Sequence, residues 1–396
     1  MDYNPFLPEV QANPYPYYAY LRQHAPAYQV PGLGFWAISR YDDVLSALKT
    51  PQVFSSLQQL LGFMGDLYPF PSEAPAIVEY DPPNHTRLRK LVNRAFTPRR
   101  VASLERHIYE VTHELLDQVR DQGEFDLVHV LSAPLPGIVI AELLGVPRER
   151  RNDFKRWTDS LIRALNGITV PSEHRDEVRR NLSELFAYFG ELIATYRQTP
   201  GDNLVSDMVR AEEDNQTLTA AEVLSLAVFI IVAGSETTTN LIANAVLALF
   251  DHPEQMRQVQ ANLALVPRVV EETLRYESPL QMLLRFTTQE VEIAGTRIPA
   301  SSPVLVMLGS ANHDERKFPD PERFDIMRNP EGHVGFGFGV HFCLGAQLAR
   351  LEAKAALELL LERFPRLART EAPLLWVENP VIHGPKALPL TVGDRS

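Results

Sequence analysis

Phe336-Gly337-Phe338-Gly339-Val340-His341-Phe342-Cys343-Leu344-Gly345 is the stretch that decides the fold, and it holds the only cysteine among 396 residues. Its glycines allow the backbone to turn tightly before a helix that we expect to begin just after Cys343. Free amides and the positive end of the helix dipole stabilise a thiolate at such a position. The thiolate is both the nucleophilic and the metal-binding form of cysteine, so the stretch favours an ionised Cys343.

One cysteine excludes an internal disulfide and a zinc site built from several thiolates. Two other interpretations of Cys343 stay open on chemical grounds. A lone cysteine is commonly inert and buried. A cysteine nucleophile would use His341 as its base, but this arrangement needs a third residue to orient the histidine, and no protease signature surrounds it.

The stretch matches the pattern Phe-x-x-Gly-x-x-x-Cys-x-Gly throughout and resembles the heme-binding loop of the cytochromes P450. The resemblance implies heme b (iron protoporphyrin IX) as cofactor, Cys343 as the axial ligand of its iron, and Phe336, His341 and Gly345 around it. A thiolate ligand pushes electron density toward iron and favours cleavage of the O–O bond. The implied activity is insertion of one oxygen atom from O2 into a small lipophilic substrate, by hydroxylation or epoxidation.

Glu272 and Arg275 lie three residues apart, so a helix would bring their side chains together. Alone, this spacing is typical of a surface ion pair, which contributes little. The pair lies about 70 residues before Cys343, and at that position it resembles the Glu-x-x-Arg motif of the same family. The resemblance implies a structural lock with Arg323 as the third member.

Ala233-Gly234-Ser235-Glu236-Thr237-Thr238 places an acid and hydroxyls within an apolar helix. Burying a carboxylate is costly without a partner, so helix physics alone suggests a salt bridge for Glu236 and a threonine bonded to a carbonyl one turn back. The family's oxygen-activation segment is similar. It implies that Ala233 leaves room for dioxygen, that Thr237 holds it, and that Glu236, where many relatives have Asp, supplies protons.

His85 and Arg89 share a helical face that suits an anion. The resemblance makes this anion a heme propionate, with Arg285 and His341 as further candidates. Six basic residues and no acidic one lie between Thr86 and Leu104: Arg87, Arg89, Lys90, Arg94, Arg99 and Arg100. Such a run is commonly a solvated face, but it could also steer an acidic electron donor.

Apolar segments at 57–78, around 163–172 and at 280–284 are candidates for a substrate pocket, with Phe229, Leu280 and Leu283 as its named residues. Ordinary packing is the alternative. Fatty acids, terpenoids and polyketides all suit such a pocket, so the substrate stays unnamed.

The net charge of −12 argues against nucleic acid and an anionic membrane as partners. The first residues do not read as a signal peptide, and the clearest apolar stretch, Leu226–Gly234, is far shorter than the roughly 20 residues of a membrane span. We therefore expect a cytoplasmic protein. No flavin or iron–sulfur signature is visible, so ferredoxin and ferredoxin reductase are the expected electron donors.

Hydrophobic periodicity predicts a mainly α protein with small β-sheets. Short hairpins are predicted from 28–30 and 35–38, which flank Pro31-Gly32-Leu33-Gly34, and from 291–293 and 296–298, which flank Ala294-Gly295. The predicted helices cover 101–121, 137–144, 174–197, 219–250, 254–276 and 344–363, and Thr219 with Glu222 forms a capping box. The resemblance implies one cytochrome P450 domain over 1–396, with the heme between the long central helix and the cysteine loop. Alternatives are a peroxide-driven heme-thiolate peroxygenase, a non-catalytic heme sensor or carrier, and an unrelated helical scaffold.

Overall fold

Helices dominate the structure, a computed structural model that describes residues 2–165, 170–213 and 215–393. The α-helices in these ranges are α1 (Pro8–Ala12), α2 (Tyr15–His24), α3 (Tyr41–Lys49), α4 (Leu61–Met64), α5 (Asn84–Ala95), α6 (Pro98–Ser103), α7 (Glu105–Asp117), α8 (Pro134–Leu143), α9 (Arg151–Leu165), α10 (Ser172–Gln198), α11 (Leu204–Arg210), α12 (Ala220–Asp251), α13 (Pro253–Ala261), α14 (Val266–Tyr276), α15 (Leu308–Ala311) and α16 (Ala346–Arg363). Short 3-10 helices cover Gly65–Leu67, Ile77–Glu79, Arg148–Arg150, Leu263–Leu265 and Gly339–His341, and a π-helical turn covers Val128–Ser132.

The strands are short, as the sequence predicts. They are β1 (Ala27–Gln29), β2 (Trp36–Ile38), β3 (Phe54–Ser55), β4 (Glu124–Asp126), β5 (Glu212–Glu213), β6 (Gln216–Thr217), β7 (Leu283–Thr287), β8 (Val291–Ile293), β9 (Thr296–Ile298), β10 (Pro303–Val306), β11 (Leu367–Arg369) and β12 (Pro389–Val392). Five of them form a sheet in the order β1-β2-β10-β7-β3, in which β2 and β10 are parallel. The predicted hairpins β1–β2 and β8–β9 are confirmed.

Contacts between residues divide the chain into two compact units. The first consists of Met1–Ser55, Glu105–Leu135 and Thr237–Ser396, and the second of Ser56–Leu104 and Pro136–Glu236. The first unit contains the five-stranded sheet, whose strands bury Ile38, Val304 and Val306. In the second, α9 and α10 pack together, with Leu161, Val178 and Phe189 buried. The single domain over 1–396 stays a prediction.

Helix α12 begins at the predicted capping box. The Thr219 amide donates to Glu222 Oε2 (2.8 Å), and the Glu222 amide donates to Thr219 Oγ1 (3.2 Å). By length and composition, α12 alone among the described helices could cross a membrane, and half of its most apolar window is buried. The apolar part of α12 is longer than Leu226–Gly234, because Leu241–Leu249 continues it as buried core.

The predicted helix over 254–276 is wrong as one element, because Asn262–Leu265 separates α13 from α14. The side-chain oxygen of Asn262 accepts from the Ala264 amide (3.2 Å), which starts a new turn. Pro267 follows at the start of α14, where a missing amide hydrogen does no harm. The predicted helix over 101–121 is likewise divided, at Leu104, between α6 and α7.

Candidate active site

The cysteine loop is closed by its own backbone. The Cys343 amide donates to the Phe336 carbonyl (3.0 Å), so the two ends of the loop are joined. Gly337 (φ +69°) and Gly339 (φ +71°) adopt left-handed conformations inside it, and a Cβ on Gly339 would lie 2.6 Å from the Leu48 carbonyl oxygen. These two positions therefore need glycine.

Helix α16 begins at Ala346, three residues after Cys343, which confirms the predicted position of the thiol before a helix. Gly345 is the N-terminal cap residue of this 18-residue helix. His341 ends the short 3-10 turn before the cysteine and is half-buried, as is Phe336. A thiolate at Cys343 would meet the positive end of the α16 dipole, which favours the ionised ligand.

The Glu272–Arg275 pair on α14 is fully buried, with both side chains at 0% exposure. Arg275 donates through Nε to Glu272 Oε2 (3.0 Å) and through Nη2 to Glu272 Oε1 (2.8 Å). Its other bonds reach the backbone carbonyls of Asn312 (3.1 Å), Pro321 (2.8 Å) and Arg323 (3.1 Å). The interpretation as a surface pair is therefore wrong, and the pair is a structural lock.

Arg323 as the third side chain of this lock is wrong. Its side chain is 68% exposed and lies 3.8 Å from Asp325, and only its carbonyl takes part. Arg328 occupies the role instead, because its Nε donates to Glu272 Oε1 (3.2 Å). Sequence could not separate the two arginines, since both lie in the same loop and only the folded path shows which one turns inward.

Glu236 has a buried carboxyl oxygen, Oε2, that finds no hydrogen-bond partner within the described part of the chain. Burial raises its pKa from 4.5 to about 7. The described residues form no salt bridge to it, so that alternative is not supported. The Ser235 hydroxyl donates to the Ile231 carbonyl one turn back (2.7 Å).

The residues around Glu236 on α12 differ in exposure. Ala233 is exposed and Thr237 is half-buried. A Cβ on Gly234 would lie 2.6 Å from Cδ1 of Ile140, so a larger residue there would require the end of that side chain to move. The helix therefore carries small residues directly before the acid and the hydroxyl.

Three of the candidate propionate ligands fall on two elements of the fold. His85 and Arg89 lie one turn apart on α5, with His85 buried and Arg89 half-buried. Arg285 is buried on β7, where its Nη1 donates to the Leu284 carbonyl (2.8 Å). Their joint action on one cofactor stays a prediction.

Phe229 on α12, Leu283 on β7 and Leu280 are half-buried. The 57–78 segment contains α4 and is held by a residue that sequence reasoning missed. The carboxylate of Glu79 accepts from the Leu60 amide (3.0 Å) and from the Tyr68 hydroxyl. No local pattern indicates this role. Of the candidate segment around 163–172, residues 166–169 lie outside the described residues.

The basic run is partly neutralised by the protein itself. Arg87 pairs with Glu222, and Arg100 donates to Asp202 (2.6 Å). Arg99 is exposed at the start of α6. A count of charges along the sequence therefore overstates the positive surface.

Known proteins match the chain over most of its length. A family model described as "Cytochrome P450" covers residues 26–375. The chain belongs to the cytochrome P450 family. It is 42% identical to the cytochrome P450 monooxygenase PikC of Streptomyces venezuelae, over 96% of this chain and 91% of that protein.

Solved cytochromes P450 share the fold. CYP109Q5 from Chondromyces apiculatus superposes with a TM-score of 0.90 at 45% identity, covering 100% of this chain and 99% of that one. CYP109E1 from Bacillus megaterium, solved in complex with testosterone, has a TM-score of 0.87 at 35% identity, over 96% of this chain and 100% of that one.

The protein is a heme-thiolate monooxygenase with heme b, and separate redox partners supply its electrons. The mainly α fold with small sheets is confirmed. The residues of the cysteine loop fit the cofactor, because they present the chain's single thiol before a helix N-terminus.

We predict that Glu272→Ala destabilises the protein by about 3–5 kcal/mol, since it leaves the Arg275 charge buried and unpaired. Arg328→Ala removes the charged hydrogen bond to Glu272 and three further bonds to backbone carbonyls, so its expected cost is at least about 1.5–3 kcal/mol. Arg323→Ala is the matched control and should change the free energy of unfolding by no more than about 0.5 kcal/mol. Denaturant unfolding measures all three. Equal losses for the two arginines would contradict the assignment of Arg328.

Proposed function

We propose that Glu236 and Thr237 carry the proton delivery of this monooxygenase, with Cys343 as the iron ligand. Bound heme supplies the redox chemistry by which one oxygen atom of O2 enters the substrate and the other leaves as water. The observation that carries the proposal is the buried Oε2 of Glu236, which has no hydrogen-bond partner among the described residues and is followed in the helix by the hydroxyl-bearing Thr237. Thr237 would hold O2 in place through its hydroxyl.

A carboxyl that donates protons at neutral pH must be partly protonated there. Glu236 meets this condition, because burial raises its pKa to about 7. A salt-bridged carboxylate would be a poor donor, since a cation lowers its pKa. As pH rises through 7, the protonated fraction falls, so proton delivery through Glu236 should weaken on the alkaline side.

Cys343 supplies the thiolate in this proposal, since the chain holds no other cysteine. His85, Arg89, Arg285 and His341 are the residues proposed to bind the propionates. Arginine suits that role because its planar fork can bond a carboxylate bidentately.

We predict that Thr237→Ala consumes electrons as before but forms less product and releases more hydrogen peroxide. Thr237→Ser keeps the hydroxyl and is the matched control. Turnover driven by added peroxide should change little, because that oxidant arrives already reduced and protonated. In the unmodified enzyme, the product formed per electron should fall as pH rises through about 7. In Glu236→Gln this pH dependence should be absent. The measurements are product and peroxide per reducing equivalent.

Equal coupling in Thr237→Ala and the unmodified enzyme would count against proton delivery and favour a peroxide-driven peroxygenase. An unchanged pH profile in Glu236→Gln would remove Glu236 from the relay while leaving the monooxygenase activity in place.

A ferredoxin and its reductase are the proposed donors, acting in the cytoplasm. The exposed cations of the basic run support this partner, because they form a local positive patch on a chain whose net charge is −12. An acidic ferredoxin would approach such a patch faster than a neutral protein would.

We predict that Arg99→Glu slows reduction by an acidic ferredoxin and that added salt slows the unmodified enzyme in the same direction. Lys155→Glu reverses another exposed cation, on α9, and should leave the rate unchanged. Stopped-flow reduction of the ferric enzyme measures the rates. A salt-independent rate, with Arg99→Glu equal to Lys155→Glu, would make the run a solvated face.

The proposed substrate is a rigid lipophilic molecule of about steroid size. The testosterone complex of CYP109E1 supports this class, and the apolar side chains of the 57–78 segment suit a lipophilic molecule in general. We predict that testosterone shifts the heme absorbance to the substrate-bound form with a lower dissociation constant than a saturated long-chain fatty acid. Spectral titration under identical conditions gives both constants. Tighter binding of the fatty acid would replace the steroid class with a chain-like substrate.

A further inference from the structure

We propose that Glu271 is a positioning residue that fixes the start of the cysteine loop through Arg350 and His333. The proposal rests on Cys343 being the iron ligand. All four residues belong to the first compact unit, and Glu271 lies on α14 directly before the buried Glu272.

Arg350 on α16 connects Glu271 to the loop. Its Nε donates to Glu271 Oε1 (2.5 Å) and its Nη2 donates to Glu271 Oε2 (3.0 Å), a bidentate pair. The guanidinium lies over the ring of Phe336, 4.5 Å from its centroid. Phe336 in turn accepts the Cys343 amide through its carbonyl (3.0 Å). One ion pair thus fixes the residue that closes the loop on the cysteine.

His333 provides a second connection from the same carboxylate. Its Nε2 lies 3.2 Å from Glu271 Oε2, and its Nδ1 lies 3.2 Å from the Gly335 amide nitrogen. The amide can only donate, so Nδ1 accepts and Nε2 carries the hydrogen toward Glu271. Gly335 has no room for a side chain, because a Cβ there would lie 2.5 Å from the Leu274 carbonyl oxygen. The backbone entering the loop is therefore fixed just before Phe336.

The Glu271 carboxylate is well suited to remain charged. Burial alone would raise its pKa, but the hydrogen bonds from His333 and Arg350 outweigh that effect and lower the pKa to about 2. Glu272 serves a separate network, because consecutive helical residues point about 100° apart. One turn of α14 thus supports the loop from two directions.

Loss of this cluster should free the Phe336 end of the loop without opening the buried lock of Glu272. The hydrogen bond from the Cys343 amide to the Phe336 carbonyl would then be weaker, and the thiolate would be protonated or displaced more easily. A planar guanidinium can stack on the Phe336 ring, whereas the ammonium group of a lysine is a point charge and would make this contact less well.

The test uses the heme-loaded variants Arg350→Lys, Arg350→Ala and Glu271→Gln. Arg363→Lys is the matched control, because Arg363 ends the same helix and pairs with Asp117 (2.6 Å) away from the loop. The readout is the rate at which the reduced, carbon monoxide-bound form changes from the thiolate-type to the thiol-type absorbance in mild denaturant. Heme content and helical unfolding are followed separately.

We expect Arg350→Ala and Glu271→Gln to lose the thiolate-type band about fivefold faster than the unmodified enzyme does. This factor corresponds to the loss of one cation–π contact of ordinary strength. Arg350→Lys should fall between them and the control, with heme content and helical unfolding unchanged. Rates equal to that of Arg363→Lys would overturn the proposal. If Arg350→Ala retains no heme, the same comparison is decided by Arg350→Lys and Glu271→Gln.

Cys343→Ser separates this proposal from the ligand assignment on which it rests. That variant should lack the thiolate-type band from the start. If it keeps the band, Cys343 is not the ligand and the proposed site fails. If it loses the band while the Glu271 and Arg350 variants behave as the control, only the positioning role fails.

Discussion

Arg275 is a cation with no access to solvent, and the protein satisfies it completely. A guanidinium has five N–H groups, and Arg275 makes five hydrogen bonds, two to Glu272 and three to the carbonyls of Asn312, Pro321 and Arg323. A buried pair is tolerable only when its remaining donors are bonded as well. The backbone from 312 to 323 must therefore follow one path. The Asn312 side chain extends the constraint, since its Oδ1 accepts from the Val334 amide (2.7 Å), just before the cysteine loop.

Two neighbouring glutamates on α14 thus support one loop by different chemistry. Glu272 organises the backbone that leads to the loop, whereas Glu271 reaches the loop itself through Arg350 and His333. The loop adds its own constraints, because Gly339 leaves no room for a side chain and the Cys343 amide closes on Phe336. The thiol is therefore held by a frame of hydrogen bonds and ion pairs within the protein, which is the support that a metal ligand needs.

Local chemistry made some features predictable and others not. The capping box of α12, the hairpins and the start of α16 depend on residues close together in sequence, and the sequence predicted them. Arg323 was misassigned because two arginines in one loop differ only in which one faces Glu272. The cluster of Glu271, His333 and Arg350 gave no signal, since 62 and 79 residues separate the carboxylate from its partners. The substrate stayed unnamed because apolar loops bind by shape, which the motifs do not encode.

Glu236 contrasts with Glu272 in a way that bears on function. Both are glutamates inside the protein, but Glu272 has two cationic partners and Glu236 has a buried Oε2 without one in the described part of the chain. Raising its pKa from 4.5 to about 7 costs roughly 3 kcal/mol of stability at neutral pH. The cost is absent below the unfolded pKa and grows as pH rises toward 7, because the unfolded state ionises first. A glutamine would avoid it. A group that destabilises the fold at working pH and can still donate a proton there is what proton delivery requires, and packing alone gives no reason for it.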